Sequence, residues 1–236
     1  MLRKTHVTGV ISLLVSTSCF PGFYVGAAVG PEGASFSQKA HVQRPGTATS
    51  GAFNVIDRNH FSGIGLFGTL FAGLSWIYKQ IYLAAEVNGT MSSVEYKLIN
   101  DEYVHQNFAK TTFTVRNSEG VSALPGFLLS ENTVLYGRIG YANGRIKLVE
   151  GGDPTIHGAA TRKSGLRWGL GLRHAFNERF SFMMDFSQIT YSSIHSFVFE
   201  PNGNVTKATK ITPKTAQVAF GLIYRFDKPA QQIYVK

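Results

Sequence analysis

Seven histidines (His6, His41, His60, His105, His157, His174 and His195) and the single Cys19 are the side chains best suited to metal or nucleophilic chemistry in this 236-residue chain. None of the histidines makes a short-spaced metal pair, and neither HExxH nor CxxC occurs. The nearest approach to a hydrolytic group is Ser193, His195, Ser196 and Glu200, which would have to gather nucleophile, base and orienting acid at one point. Neighbouring residues of a strand face opposite ways, so Ser196 cannot simply serve His195. Hydrolysis is therefore the weakest of the readings; no catalysis, metal or cofactor is expected. GIGLFG (63–68) spaces glycines by two but lies within an extended run, so it opens no helix that could cradle phosphate.

A second group of chemically capable residues is electrostatic. Glu86 and Asp185 stand in mid-segment among apolar residues, as do Arg138, Arg167, Arg173 and Arg225. Charges in such places need partners, and these six are expected to pair across a narrow interior. Lys39, Arg44, Arg58, Arg162, Lys163, Lys207 and Lys210 fall in or beside the polar connections. They are read as contacts for the phosphates of lipopolysaccharide, a use for the net charge of +9 that requires no nucleic acid.

The elements that position these residues are strands. VAFGLIYRF (218–226) sets Val218, Phe220, Leu222, Tyr224 and Phe226 on one face and Ala219, Gly221, Ile223 and Arg225 on the other. LRWGLGLRHAF (166–176), LYGRIGYANG (135–144), YLAAEVNG (82–89) and FSFMMDFSQ (180–188) repeat the period of two. Their second face mixes Gly, Ser and Ala with single charges, as the inside of a small closed barrel requires.

Eight strands are expected, at 23–37, 60–74, 80–96, 108–128, 133–149, 163–175, 179–199 and 209–226. Short connections (75–79, 129–132, 176–178) alternate with long ones (38–59, 97–107, 150–162, 200–208), the arrangement of transmembrane β-barrels with their short turns in the periplasm. The first long connection, with Pro45 and several Gly, Ser and Thr, is expected to be mobile and to offer a contact surface. Phe20, Phe23, Tyr24, Trp76, Tyr78, Phe176, Phe180, Tyr224 and Phe226 gather beside the short connections and are expected at the periplasmic rim. Composition agrees: 25 glycines, 13% aromatic and 16% charged residues, against about 25% charged in an ordinary soluble chain, suit an outer surface that meets lipid.

Residues 1–20 have the plan of an export signal, with Arg3 and Lys4 ahead of an apolar stretch from Val7 to Val15. An acylated Cys19 is the less favoured alternative. Residues 21–226 are then the barrel, and 227–236 a short periplasmic tail. The expected fold is all-β, an eight-stranded antiparallel transmembrane β-barrel with up-and-down meander topology.

These segments, with FYVGAAVG (23–30), resemble the outer-membrane β-barrel domain superfamily of Gram-negative bacteria, the small porin-like or opacity-like surface proteins. The resemblance implies a place in the outer membrane, with lipid and lipopolysaccharide as surroundings and a possible host or environmental ligand at the outer loops. It also implies that residues 218–226 resemble the strand by which the barrel assembly machinery takes up its clients. Its members serve as adhesins, envelope stabilisers, immune-evasion proteins or narrow pores. The leading expectation is a structural, adhesin-like surface role, with a narrow diffusion channel as the alternative and a lipid A-modifying outer-membrane hydrolase behind both.

Overall fold

The computed structural model describes residues 22–46, 51–99, 110–150, 159–200 and 204–226. The segments read as export signal and periplasmic tail lie outside them. Ten strands follow in order: β1 (Gly22–Arg44), β2 (Phe53–Tyr78), β3 (Ile81–Ser92), β4 (Glu95–Ile99), β5 (Lys110–Ser130), β6 (Thr133–Glu150), β7 (Ala159–Ala175), β8 (Phe180–Tyr191), β9 (Ile194–Glu200) and β10 (Val205–Arg225). All pairings are antiparallel, and β1 bonds to both β2 and β10, so the sheet closes on itself. The result is an all-β, barrel-like antiparallel sheet.

Tight connections at 79–80, 131–132 and 176–179 share one end. At the last of them Asn177 Oδ1 accepts from the backbone N–H groups of Arg179 (2.9 Å) and Phe180 (2.8 Å), a side chain mimicking a backbone turn. The outward face beside this end is apolar. On β3 it runs through Ile81, Leu83, Val87 and Met91, all exposed. Ten steps along a strand tilted by about 40° cover roughly 25 Å, the height of a bilayer's apolar band. The boundary is drawn by Ser35, Ser62, Ser93, Glu119, Ser164 and Lys214, beyond which the outward positions turn polar.

Several expected boundaries are corrected. Pairing of β1 with β2 continues to Arg44↔Phe53, so most of 38–59 is strand, and Lys39, Arg44 and Arg58 stand on the sheet rather than on a mobile loop. Above the lipid both faces of these strands carry polar residues, and the alternation that marks a strand fades. The same extension places Arg162 and Lys163 in β7 and Lys207 and Lys210 in β10. Two expected strands are interrupted, at Ser93–Val94 and at Ser192–Ser193. At the first step the wholly buried Val94 turns inward against Gly65, where an added Cβ would lie 2.9 Å from the Val94 nitrogen. Ser93 holds the join through its N–H (2.9 Å) and hydroxyl (3.0 Å) to the Leu66 carbonyl.

Beyond these steps the sheet divides. β4 pairs β5, and β9 pairs β10. Among the described residues no register joins β4 to β2 or β9 to β7. Two four-stranded sheets result, β4–β5–β6–β7 and β2–β1–β10–β9. They enclose an apolar cluster that includes Phe36, Val94, Val115, Ile146, Ile189, Tyr191, Ile194 and Ile211. A second apolar cluster, with Tyr24, Phe67, Phe71, Tyr82, Leu124 and Tyr136, fills the barrel on the short-turn side of the steps.

Candidate functional site

Between the two apolar clusters lies a polar network. Glu86 is its centre: Oε1 accepts from Arg138 Nη1 at 2.7 Å, and Oε2 accepts from Arg173 Nη2 at 2.6 Å and from the Tyr24 hydroxyl at 3.2 Å. Arg138 Nε donates to Asp185 Oδ2 at 3.0 Å, and the Tyr136 hydroxyl donates to the same oxygen at 2.8 Å. Arg173 also donates to the Tyr82 hydroxyl (2.8 Å) and sits 4.8 Å and 5.0 Å from the ring centroids of Tyr24 and Tyr136. All of these groups are buried. Buried charges are tolerated where opposite charge and hydrogen bonds meet them together, as they do here.

A second layer continues toward the outer sheets. Arg167 donates to Ser187 Oγ (3.1 and 2.9 Å), Asn88 Oδ1 (3.2 Å) and Gln217 Oε1 (3.4 Å), and Gln217 Nε2 donates to Glu32 Oε1 at 2.9 Å. Of the six charges expected to pair in the interior, the structure brings Glu86, Arg138, Arg173 and Asp185 together. Arg167 is bound to neutral groups instead. Arg225 stands half-exposed at the end of β10, outside the network, because the chain reaches the barrel mouth there. Glu32, Gln217 and Asn88 belong to this interior and were not singled out by sequence. Glu32 carries a signal, a carboxylate in an apolar strand on the same face as Ala28.

Large aromatics also enter the interior, interleaved with its small residues. Tyr24 is buried there rather than at the rim. It lies over its cross-strand partner Gly73, whose missing Cβ would meet the ring at 2.5 Å; Tyr136 covers Gly171 in the same way. Glycine opposite an aromatic lets the ring lie flat on the sheet, so both residue types rise together in this composition.

The other expected aromatic positions face outward. Ring centroids of Phe23 and Phe226 are 5.2 Å apart, of Phe180 and Tyr224 5.3 Å, and of Tyr224 and Phe226 5.0 Å. Val218, Phe220, Leu222, Tyr224 and Phe226 all lie on the outward face of β10, and the Phe226 N–H closes onto the Phe23 carbonyl at 3.0 Å. Phe20 lies outside the described residues.

The seven cations expected at the lipopolysaccharide level separate. Arg44 is held at its own hairpin, donating to the Gly51 carbonyl (3.1 and 2.9 Å) and stacking 4.8 Å from Phe53. Lys163 and Lys207 share the parity of inward residues and are half-buried. Arg162 faces outward on one sheet, paired with Glu119. Arg58, Lys39 and Lys210 face outward on the other sheet, directly opposite one another in register. His195 continues that line on β9, and the hydroxyl of Ser193 is engaged with that of Thr212 at 2.9 Å. Among the described residues no cluster of three His, Cys, Asp or Glu side chains could hold a metal ion.

The family model described as "Outer membrane protein beta-barrel domain" matches residues 8–226. No curated sequence relative matches the chain. Among solved structures, the attachment invasion locus protein Ail of Yersinia pestis is similar at 17% identity, over 84% of this chain and 99% of that one, with a TM-score of 0.37. Neisserial surface protein A is 14% identical over 86% and 97% of the two chains, with a TM-score of 0.42. The outer membrane protease OmpT of Escherichia coli is 8% identical over 90% and 99%, with a TM-score of 0.48. At these values none of them brings a ligand or an activity to this chain.

Proposed function

The chain belongs to the outer membrane protein β-barrel domain family and has its place in the outer membrane; from that premise we propose that it is a structural surface protein whose adhesin-like role is carried by the outside of its long-connection end. The observation that carries this reading is the filled interior, two apolar clusters with a polar network between them. A barrel packed in this way works through the surfaces it presents.

In this reading the ten strands make eight staves. β3 with β4, and β8 with β9, each form one stave interrupted by a two-residue step, since β4 continues on β5 and β9 on β10. The barrel occupies residues 21–226, behind an export signal at 1–20 and ahead of a periplasmic tail at 227–236. The interior charges Glu86, Arg138, Arg173 and Asp185 hold the staves together. The outward aromatic row on β10 serves the barrel assembly machinery, and lipopolysaccharide meets the cations nearest the lipid. No reaction is assigned in this reading.

Topology is the test. R58C and K79C, each in a C19S background, are expressed separately and exposed to a membrane-impermeant maleimide on intact cells. R58C is expected to label, and K79C only after the outer membrane is opened. The reverse pattern would refute the orientation and the surface role. For the alternative of a diffusion channel, eight staves filled by side chains leave little continuous path. The purified protein is expected to give no steady openings in a planar bilayer bathed in salt; sustained conductance would favour the channel.

A further inference from the structure

The outer face of the sheet β2–β1–β10–β9 carries a line of four basic side chains. Arg58 is paired with Lys39, Lys39 with Lys210, and Lys210 with His195, each directly opposite the next, and all are exposed. At about 4.8 Å between strands the line spans roughly 14 Å. Like charges facing each other across strands are destabilising, so the arrangement is held against a cost. No acidic residue shares the outward face of this rung or of the rungs on either side, which are Ile56–His41–Ala208–Phe197 and His60–Ser37–Thr212–Ser193. Asp57, adjacent in sequence, faces the other way and accepts from Asn59 Nδ2. Elsewhere on the surface Arg162 does have an acid, Glu119.

Height separates this line from the lipid. Lys39 lies four residues beyond Ser35, where the outward face turns polar, which at about 3.3 Å per residue and a tilt near 40° is roughly 10 Å above that boundary. Lys214, opposite Ser35, stands at the boundary itself and is the cation nearest the level of lipid phosphates. The line therefore stands a tier above Lys214. Next to it Ile56 and Phe197 are 57% and 69% exposed. They border an open groove of about 480 Å³ lined also by Lys39, His41, His195 and Lys210. Cations for acidic groups, beside an exposed ring for the apolar C–H faces of sugars, form a surface with two complementary chemistries.

We propose that the line Arg58–Lys39–Lys210–His195, with Phe197 on the adjoining rung, binds acidic glycan chains. The inference rests on the reading above that the long-connection end faces outward. The glycan can come from the sugar core of the membrane's own lipopolysaccharide or from a polysaccharide outside the cell, and the chemistry recognised is the same.

The full chain, purified in uncharged detergent and reconstituted into phosphatidylcholine vesicles, is titrated with labelled dextran sulfate, uncharged dextran, inorganic polyphosphate and a thymidine oligonucleotide. The double variant K39Q/K210Q is expected to weaken dextran sulfate binding about tenfold, as the loss of two exposed charge contacts implies. R116Q/R145Q, which removes two exposed charges from the other sheet, is expected to leave it nearly unchanged. F197A is expected to weaken dextran sulfate while leaving polyphosphate unaffected. Equal losses in the two double variants would show a diffuse charge effect and overturn the proposal. So would an F197A variant that binds dextran sulfate like the parent, or tighter binding of the oligonucleotide than of dextran sulfate. Adding rough lipopolysaccharide to the vesicles distinguishes the sources: lost dextran sulfate binding assigns the line to the membrane's own glycan, and retained binding assigns it to one from outside. Wrong-sided labelling of R58C on cells would remove the premise. Correct labelling without dependence on Lys39 and Lys210 would sink this inference alone.

Discussion

Glu86→Gln is expected to lower the unfolding free energy of the refolded barrel by about 3–5 kcal/mol, the range found when a buried ion network loses one partner. Two guanidinium groups, those of Arg138 and Arg173, each end on a Glu86 oxygen, with Tyr24 sharing one of them. Glutamine keeps the shape and one acceptor, but it removes the charge and turns two N–H donors toward the cations. Asp185 remains bonded to Arg138, while Arg173 loses the carboxylate it meets at Glu86. Urea unfolding in phosphocholine micelles, followed by the fluorescence of Trp76 and Trp168 and by the gel shift of folded barrels, measures the change. Glu119→Gln is the internal comparison, because Glu119 pairs with Arg162 where both are more than 60% exposed. That change is expected to cost less than about 1 kcal/mol. Equal effects at the two sites would show that the interior network does not stabilise the barrel.

The second large effect is steric. Gly171→Val is expected to destabilise by about 3 kcal/mol, combining overpacking with a lost buried hydrogen bond. A Cβ at Gly171 would lie 2.4 Å from the Tyr136 hydroxyl oxygen and 2.9 Å from the Met184 carbonyl oxygen, so the ring must leave. With it go the bond to Asp185 and the face on which Arg173 rests. Gly137→Val is the control, since an added Cβ there finds nothing closer than the Pro125 carbonyl at 3.8 Å. Removing the ring as well, in Gly171→Val/Tyr136→Ala, should recover part of the loss, and the double-mutant cycle gives the coupling. A Gly171 variant as stable as the Gly137 variant would refute the account of glycine as the aromatic's seat.

Strand direction and face were legible wherever one side meets lipid. Val218 to Phe226 and Leu166 to His174 alternate cleanly because their outward positions are large and apolar and their inward ones small or charged. Parity alone also puts Glu86, Arg138, Arg173 and Asp185 opposite the aromatic stripe. Their mutual distances depend on register between strands far apart in sequence, which no local pattern encodes. The extension of β1 past Ser37 is not legible in the pattern because Gln38 faces inward while Ser35, Ser37 and Lys39 face outward, so polarity no longer reports the face. Tyr24 and Phe23 look alike as rim aromatics; only the glycine across the strand shows which ring goes inside. The alignment of Lys39 with Arg58 and Lys210 required two registers, and His195 a third.

The division of the sheet beyond Ser93 and Ser192 has a consequence for how such a molecule can change over generations. Its outer half keeps water out with Phe36, Ile146, Ile194 and Ile211, in the manner of a soluble sandwich domain, and draws no cohesion from the bilayer. Mutations that remodel the exposed strands are thereby buffered locally. The region confronting a varying environment can diverge while the part inserted in the membrane, and its route of insertion, stay as they are.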